Sequence, residues 1–311
     1  MSEQMTSDPT TVPLMLGGVV VEDTFAEAFG MRATAVVITA DSLRWARQAA
    51  VTMTGFATSV IGCGCEAGID GTVSPDETPD GRPGVRVLLF AISTDALQKQ
   101  LEARVGQCVL TSPGSACYAG LDSSDRLKLG ANLRYFGDGF QIAKRIGGRR
   151  YWRVPVMDGE FVCEATTGLT KAAVGGGNLL FLARDRARAL RAAEAAVQAI
   201  AKVRDVILPF PGGIVRSGSK VGSRYKTMMA STNDAYCPTL RAVTHTALSD
   251  EVGAVMEIVI DGLNDQAVRD AMRAGLHAAA ALGPDKGPLR ITAGNYGGKL
   301  GKFHYHLREL A

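Results

Sequence analysis

The chain has 311 residues, of which 46% are hydrophobic and 21% are charged, values typical of a globular protein that buries a core. This length suits two domains of ordinary size better than one. The 34 Lys and Arg residues against 31 Asp and Glu give a net charge of +3 without a polybasic block, which argues against a nucleic-acid-binding protein. The first apolar run, residues 12–21, is shorter than the ~20 residues of a membrane span and follows no basic segment, so we expect a cytoplasmic protein.

The six cysteines are scattered along the chain, and neither a second Cys pair nor a His pair accompanies Cys63 and Cys65 at zinc-site spacing. We therefore expect free thiols and no bound metal. Two nucleotide-binding patterns also fail in their context. Gly62-x-Gly64-x-x-Ala67 is followed by Gly and Pro rather than by a helix, and Gly298-Lys299 lacks the Ser or Thr of a phosphate loop.

Predicted elements in the first half begin with an apolar strand over residues 33–40. A helix follows, capped by Asp41 and Ser42 and ended by Gly55. The pattern then predicts strands over residues 57–61 and 85–90, a helix over residues 94–105, and a short strand near Cys108.

The second half predicts the same order of elements. A strand over residues 178–183 leads into a helix capped by Asp185, and strands follow over residues 206–208 and 254–260. A helix over residues 264–282 and a strand over residues 289–292 complete it, and a last strand is predicted over residues 302–308.

Each half therefore reads β-α-β-β-α-β, which predicts an α+β fold of two duplicated ferredoxin-like lobes, each a split β-α-β sandwich. We expect a loose leader over residues 1–16, an N-terminal lobe over residues 17–160 and a C-terminal lobe over residues 161–311. The alternative is a single mixed sheet without duplication.

Glu257 interrupts the apolar strand predicted over residues 254–260. Strand alternation places Met256, Ile258 and Ile260 on the helix side and Glu257 on the opposite, open side among apolar neighbours. Desolvation there would raise the pKa of the carboxyl group and make it a candidate proton donor. An exposed charge at a strand edge is the simpler alternative.

Two further segments carry candidate ligand groups. The polar stretch 230–238 offers hydroxyl, amide and carboxylate groups, although a turn-forming loop explains it as well. The Gly-rich stretch 293–301 either presents backbone N–H groups to an anionic ligand or forms a tight turn into the last strand. The candidate substrate-binding residues are Ser231, Thr232, Asn233, Asp234, Tyr236, Gly212, Gly213, Lys220, Asn295, Gly297 and Lys299.

Eight segments resemble the formylmethanofuran–tetrahydromethanopterin formyltransferase family. They are residues 21–29, 66–70, 77–84, 106–109, 136–139, 209–215, 231–238 and 293–301. The resemblance extends from about residue 17 to residue 310 and leaves out the leader. It implies the duplicated ferredoxin-like fold, a homo-oligomer that is a tetramer built from dimers, and no metal or prosthetic group. The two C1 carriers, methanofuran and tetrahydromethanopterin, are then substrates rather than cofactors.

The resemblance also implies that Glu257, in the strand V-M-E-I-V-I, is the catalytic acid of a direct formyl transfer. The near-neutral charge is similar to that of methylotroph homologues, which implies a place beside other subunits of a formyltransferase/hydrolase complex in C1 metabolism, on the route from formaldehyde to formate. Two alternatives stay open: a non-catalytic subunit that binds the carrier as a scaffold, and a formyltransferase that uses tetrahydrofolate.

Overall fold

A computed structural model describes residues 13–299 and 301–311. The strands are β1 (Leu14–Leu16), β2 (Val19–Val21), β3 (Phe25–Thr39), β4 (Glu66–Val73), β5 (Gly84–Ala91), β6 (Ala116–Ala119), β7 (Arg126–Lys128), β8 (Ile142–Ile146), β9 (Arg149–Val156), β10 (Gly159–Glu164), β11 (Thr166–Gly168), β12 (Thr170–Ala183), β13 (Val206–Ile207), β14 (Lys220–Val221), β15 (Ala230–Ser231), β16 (Ala254–Gly262), β17 (Arg290–Thr292) and β18 (Phe303–His306).

The α-helices are α1 (Leu43–Thr54), α2 (Val60–Cys63), α3 (Thr94–Arg104), α4 (Gly130–Leu133), α5 (Arg186–Ile200), α6 (Asp265–Ala280), α7 (Gly283–Lys286) and α8 (Leu307–Leu310). Side chains cap three of the four long helices at their first turn, since Ser93, Asp185 and Asn264 each accept a backbone N–H bond there. No helix in the described ranges has the length and apolar character needed to cross a membrane.

The two long strands β3 and β12 organise the two halves of the chain in the same way. β3 pairs with β5 and β6, and β5 pairs in turn with β4, which gives the order β6-β3-β5-β4. β12 pairs with β17 and β16, and β16 pairs with β13, which gives the order β17-β12-β16-β13. β3 and β12 also pair with each other, Phe29 opposite Gly175, so that one mixed sheet of 14 strands runs through both halves.

The core lies on both faces of this sheet. α1 and α3 cover β3 and β5, where Val36, Ile38 and Leu89 are buried against them. α5 and α6 cover β12 and β16 in the same manner, with Ile258 and Ile260 fully buried. On the other face, residues of both halves form one cluster, namely Met31, Ala33, Ala35, Leu88, Phe90, Ala173, Ile207 and Leu263. The cavity described below lies where the two halves meet.

Two predicted strands of the first half are wrong. Residues 60–63 form helix α2, because the Glu66 carboxylate accepts the Val60 N–H at 3.0 Å and Gly64 ends the turn with a φ of +77°. The second strand is β4 instead. Val105–Val109 forms a π-helical turn rather than a strand near Cys108, since the Leu110 N–H reaches the Val105 carbonyl at 2.9 Å.

Within the predicted leader, residues 1–12 lie outside the described part of the chain. Leu14–Leu16 forms β1 and pairs with β2, so these residues belong to the sheet rather than to a loose leader. The other predicted strands and the four long helices are confirmed, with ends shifted by a few residues, apart from β3 and β12, which begin eight residues earlier than predicted.

Candidate functional site

A cavity of about 550 Å³ lies between the two halves of the chain. Its walls are largely apolar, and the polar side chains that reach it include Glu257, Glu66, Asn178 and Tyr296. Strands β3, β12 and β16 supply one side and the segment around α2 supplies another. The apolar lining consists of Phe29, Met31, Val60, Ile61, Ile92, Phe210, Val215 and Val259. Such a site suits a small organic group presented to a carboxyl group.

Glu257 is held in this cavity by its backbone on both sides. Leu180 of β12 is its partner in the sheet, and the backbone of Val215 exchanges two hydrogen bonds with Glu257, at 2.7 and 3.0 Å. The predicted alternation of β16 is confirmed, because Ile258 and Ile260 face the helices while Glu257 and Val259 line the cavity. The position of the carboxyl group is thus set by strand geometry rather than by side-chain partners.

The acidity of Glu257 follows from this setting. Among the described residues, its side chain forms no hydrogen bond or ion pair. Desolvation alone raises its pKa from the ordinary 4.5 to about 7. A carboxyl group with this pKa is present as acid and as base in comparable amounts near neutral pH, which suits a group that gives up and regains a proton during a reaction.

The Gly-rich stretch near the C-terminus encloses a carboxylate of the protein itself. The fully buried Glu27 accepts the backbone N–H groups of Tyr296, Gly298 and Gly301 at 2.7, 2.9 and 2.6 Å. These N–H groups are therefore occupied and do not wait for an external anion. The loop instead carries Tyr296 to the cavity, where its ring lies 6.0 Å from the ring of Phe29.

Asn178 ties the same loop to β12. Its amide accepts the Gly294 N–H at 2.6 Å and donates to the carbonyl groups of Gly294 and Gly176, both at 3.1 Å. Because these bonds use its donors and its acceptor, Asn178 fixes one wall of the cavity. Burial and the negative charge of Glu257 raise the pKa of Tyr296, so its hydroxyl group stays protonated beside that carboxyl.

Among the predicted substrate-binding residues, none contributes to the lining of this cavity, although several adjoin it. Ala230, next to Ser231, and Gly218 and Ser219, just before Lys220, do line it. Lys220 and Asp234 form an ion pair at 2.7 Å, and the Ser231 hydroxyl donates to the Gly222 carbonyl at 2.7 Å. This polar stretch thus borders the cavity entrance as a cross-linked loop.

The other predicted residues are dispersed. Thr232 and Asn233 contact Cys237 within the same loop, and Tyr236 packs against a cluster around Leu182. The turn of Gly212 and Gly213 borders a second cavity, and a Cβ on Gly213 would lie 3.0 Å from the Leu208 and Val197 side chains. Asn295 donates to Thr24 at 3.1 Å and accepts the Gly297 N–H at 3.2 Å, while Lys299 is exposed.

Several cavity residues were missed by the sequence analysis. Phe29 and Met31 belong to an early part of β3 that the prediction left out, and Asn178 was assigned only to a strand. The run Gly175-Gly176-Gly177 was the available signal, since it forms a bulge in β12 beside the cavity.

Metal ligands are not grouped in the part of the chain that is described: no cluster of three or more His, Cys, Asp or Glu side chains is suited to hold an ion there. All six cysteines are free thiols.

Comparisons with known proteins cover nearly the whole chain. The sequence model of formylmethanofuran-tetrahydromethanopterin formyltransferase matches residues 14–156, and the model of the proximal lobe of the same family matches residues 159–310. A formylmethanofuran–tetrahydromethanopterin formyltransferase of Methylococcus capsulatus is 63% identical over 96% of this chain and 99% of its own length. One subunit of the formyltransferase/hydrolase complex of Methylorubrum extorquens is 60% identical over 95% of this chain and 96% of its own.

Two solved structures are similar over the same extent. The formyltransferase/hydrolase complex of Methylorubrum extorquens, determined with methylofuran, contains a chain with a TM-score of 0.94 and 60% identity, over 96% of this chain and 99% of that one. The formyltransferase of Methanosarcina barkeri has a TM-score of 0.90 and 46% identity, over 96% and 100%. The chain therefore belongs to the formylmethanofuran–tetrahydromethanopterin formyltransferase family.

Proposed function

We propose that the chain is a formyltransferase that moves a formyl group between a methanofuran-type carrier and N5 of a tetrahydromethanopterin-type carrier. The observation that carries the proposal is Glu257, a carboxyl group with a pKa of about 7 in an apolar cavity between the two halves. Family membership and relatives of that name at 63% and 48% identity support the choice of substrates.

The proposed reaction needs one proton to be given and one to be taken. The formyl group of the furan carrier is a formamide, and the pterin N5 amine attacks its carbon. Negative charge develops on the carbonyl oxygen, and protonated Glu257 stabilises it and then protonates the departing amine. The Glu257 carboxylate takes up the proton that N5 loses, so the acid is restored and no acyl-enzyme is formed. Placing both carriers in one cleft lowers the barrier by up to ~7–11 kcal/mol.

The apolar walls of the cavity favour the furan end of its carrier as the group that enters. Phe29, Val60 and Phe210 provide surface for a flat ring, while Glu257 faces the amide that the ring carries. The predicted substrate-binding residues, which do not line the cavity, would then bind the tails of the carriers. Lys299, which is exposed, and Lys220, which pairs with Asp234, are cations for acidic tail groups. The remaining polar candidates for the tails are Ser231, Thr232, Asn233, Asp234, Tyr236 and Asn295.

The fold proposed for this function is a pair of duplicated ferredoxin-like lobes that divide near residue 160. Its support is the order β6-β3-β5-β4 in one half and β17-β12-β16-β13 in the other, each with two helices on one face. The two matched family segments, residues 14–156 and 159–310, favour the same boundary.

We further propose a cytoplasmic homo-oligomer that needs no permanently bound cofactor. The methylofuran complex of the Methylorubrum extorquens relative favours an association with other subunits of a formyltransferase/hydrolase complex as well. In that setting the chain would receive the formyl group from the pterin and deliver it to the furan carrier.

The purified chain mixed with formylmethanofuran and tetrahydromethanopterin tests the activity, with the absorbance change of N5-formyl-pterin as readout. Turnover without any added cofactor is the expected result, and a parallel assay with tetrahydrofolate should give a much lower rate. Carrier binding without turnover would contradict the proposal and favour a scaffold subunit. Equal or faster turnover with tetrahydrofolate would contradict the choice of pterin.

A further inference from the structure

A second pair of carboxyl groups lies at the edge of the cavity, away from Glu257. Glu66 begins β4 in the first half of the chain, and Asp261 lies near the end of β16 in the second. Besides burial, the charge of Glu66 and a hydrogen bond with its side chain both raise the pKa of Asp261, so the two carboxyl groups are neighbours. Asp261 is fully buried and Glu66 is 9% exposed. Two ionised carboxylates side by side in such a setting would repel strongly.

The remaining oxygens of the pair show where a proton is required. The Asp261 Oδ1 atom accepts the Gly176 N–H at 3.1 Å, and a Glu66 oxygen accepts the Val60 N–H at 3.0 Å. The Asp261 Oδ2 atom is buried and has no donor among the described groups when both acids are ionised. One proton between the two carboxyl groups satisfies it, because a protonated carboxyl group donates while the other accepts.

The backbone around the pair is built for this close approach. β12 bulges at Gly175 and Gly176, and a Cβ on Gly175 would collide with the Met31 sulfur and lie 3.0 Å from Asp261 Oδ1. Both glycines and Glu66 line the cavity. Since Glu66 also receives the first N–H of α2, the pair connects the α2 wall of the cavity with β16, the strand that carries Glu257.

We propose that Glu66 and Asp261 are positioning residues that share one proton and so hold the α2 wall of the cavity against β16. They act on the substrate through the wall, while Glu257 acts on the reacting atoms. Loss of the shared proton would place two buried negative charges together and separate the wall from the strand. The kinetic part of this inference rests on the formyl transfer proposed above, whereas the shared proton does not.

The other titratable groups nearby do not supply this proton. Burial raises the pKa of Asp261 well above its ordinary value, and the charge of Glu66 raises it further. Cys65 precedes Glu66, and burial raises the pKa of its thiol. Asp205, at the start of the segment leading into β13, is bound to Arg86 at 2.6 Å, and Glu257 lies four residues away along β16.

The first test is the pH dependence of unfolding, measured on Glu257→Gln protein so that residue 257 does not titrate. Between pH 7 and pH 9, unfolding of the Glu257→Gln protein should release one more proton per chain than unfolding of the same protein with Asp261→Asn added. Asparagine places a permanent N–H donor at the Oδ2 position and needs no proton. The exposed Asp270→Asn, added to the Glu257→Gln protein, is the matched control and should keep the slope of unfolding free energy against pH. Equal slopes with and without Asp261→Asn would overturn the shared proton.

The second test separates positioning from bulk stability through the kinetic constants. Asp261→Asn keeps the bridge, so its KM for the formylated furan carrier should stay within about threefold of the wild-type value, whereas Asp261→Ala should raise KM about tenfold with little change in kcat. If Asp261→Ala does not fold, Glu66→Gln replaces it: this amide can donate to Asp261, so KM should be kept. A raised KM in Glu66→Gln, or equal KM changes in the asparagine and alanine variants, would overturn the positioning role.

A wild-type protein without turnover, together with the difference in pH dependence of unfolding described above, would contradict the proposed function and leave the shared proton standing.

Discussion

Glu257 combines a rigid backbone with a side chain that has no polar partner among the described residues. Most buried carboxyl groups in this chain are bound: Glu27 holds backbone N–H groups, and Asp70 contacts Arg86. Glu257 therefore bears the desolvation cost of ionisation without compensation. This cost is what makes its proton available near neutral pH.

The pH–rate profile should report this group. In the proposed mechanism, transfer from the formylated furan carrier needs protonated Glu257. The kcat/KM should therefore be constant below pH 7 and fall about tenfold per pH unit above it, as the acid form is lost. Initial rates at low substrate between pH 5 and pH 9 measure the profile. A fall that begins below pH 5 would contradict the raised pKa.

The same pKa predicts a stability difference between wild type and Glu257→Gln. The folded-state pKa of about 7 is above the ordinary 4.5, so the favourable contribution of the neutral carboxyl group is complete below pH 4.5 and is lost as the pH rises to 7. Glutamine does not titrate, and the variant should therefore gain ~3 kcal/mol in relative stability between pH 4 and pH 8. Urea unfolding at both pH values measures it; a constant difference would contradict the account.

At the residue scale, the sequence predicted the face of β16 that Glu257 occupies but not its surroundings. Period-2 alternation gives that face, whereas the raised pKa was one of two interpretations, beside an exposed charge at a strand edge. The partners across the cavity, among them Phe29 and Asn178, come from strands that are distant in the sequence. Their proximity depends on the pairing of β3 with β12, which no local pattern contains.

At the scale of elements, the loop of residues 294–301 is shaped by an internal anion. A Gly-rich segment with free N–H groups is typical of anion binding, and the anion here is Glu27 of β3. Because the loop is bound by that carboxylate, Tyr296 has a defined place beside Glu257.

Glu27→Gln should disrupt this loop. The amide offers one oxygen and turns an N–H group toward backbone donors, so we expect a loss of about 3 kcal/mol in unfolding free energy and a raised KM. Glu309→Gln, at an exposed residue, should change stability by less than about 0.5 kcal/mol. Denaturant unfolding compares the two, and equal small effects would mean that Glu27 does not hold the loop.

The errors in predicting elements have a common cause. Residues 57–61 have strand-forming composition, but the Glu66 carboxylate and the αL turn at Gly64 favour helix α2. The π-helical turn after α3 likewise replaces a strand that apolar residues suggested. In both places a short-range hydrogen bond, from the Val60 N–H to Glu66 or from the Leu110 N–H to the Val105 carbonyl, replaces the strand that composition suggested. The helices with Ser, Asp or Asn caps and a buried stripe were predictable because cap and stripe are local.

At the scale of the whole molecule, an ion-pair network joins the two halves. Arg86 of β5 contacts both Asp70 of β4 and, at 2.6 Å, Asp205 from the second half. Asp70 also accepts the Asp205 N–H at 2.9 Å. Beside this network a Cβ on Gly68 would lie 2.8 Å from Ile207, so the halves approach closely where the charges are bound.

Arg86→Met should weaken the junction of the halves. Removing the cation leaves the buried Asp70 to pair with Arg204, whose Nε lies 4.0 Å from the carboxylate, so we expect a loss of about 3 kcal/mol. Lys171→Met breaks an exposed pair with Asp125 and should cost less than about 1 kcal/mol. Unfolding midpoints of both variants test this; a similar small shift in each would show that the network does not stabilise the junction.

The predicted repeat of β-α-β-β-α-β came from hydrophobic periods that recur in each half, although two strands of the first half were misplaced. The junction was not predicted, since it depends on residues such as Arg86, Gly68 and Gly175, whose partners across the junction are distant in the sequence.

The rate of formyl transfer by Glu257→Gln, relative to wild type at pH 6, tests the central claim most directly. Glutamine keeps the size of the side chain but cannot donate an acidic proton, so kcat should fall by about 10²–10⁴ while carrier binding stays within a few-fold of wild type. The exposed Asp270→Asn serves as control and should retain full activity. A kcat for Glu257→Gln within a few-fold of wild type would contradict the assignment of Glu257 as the catalytic acid.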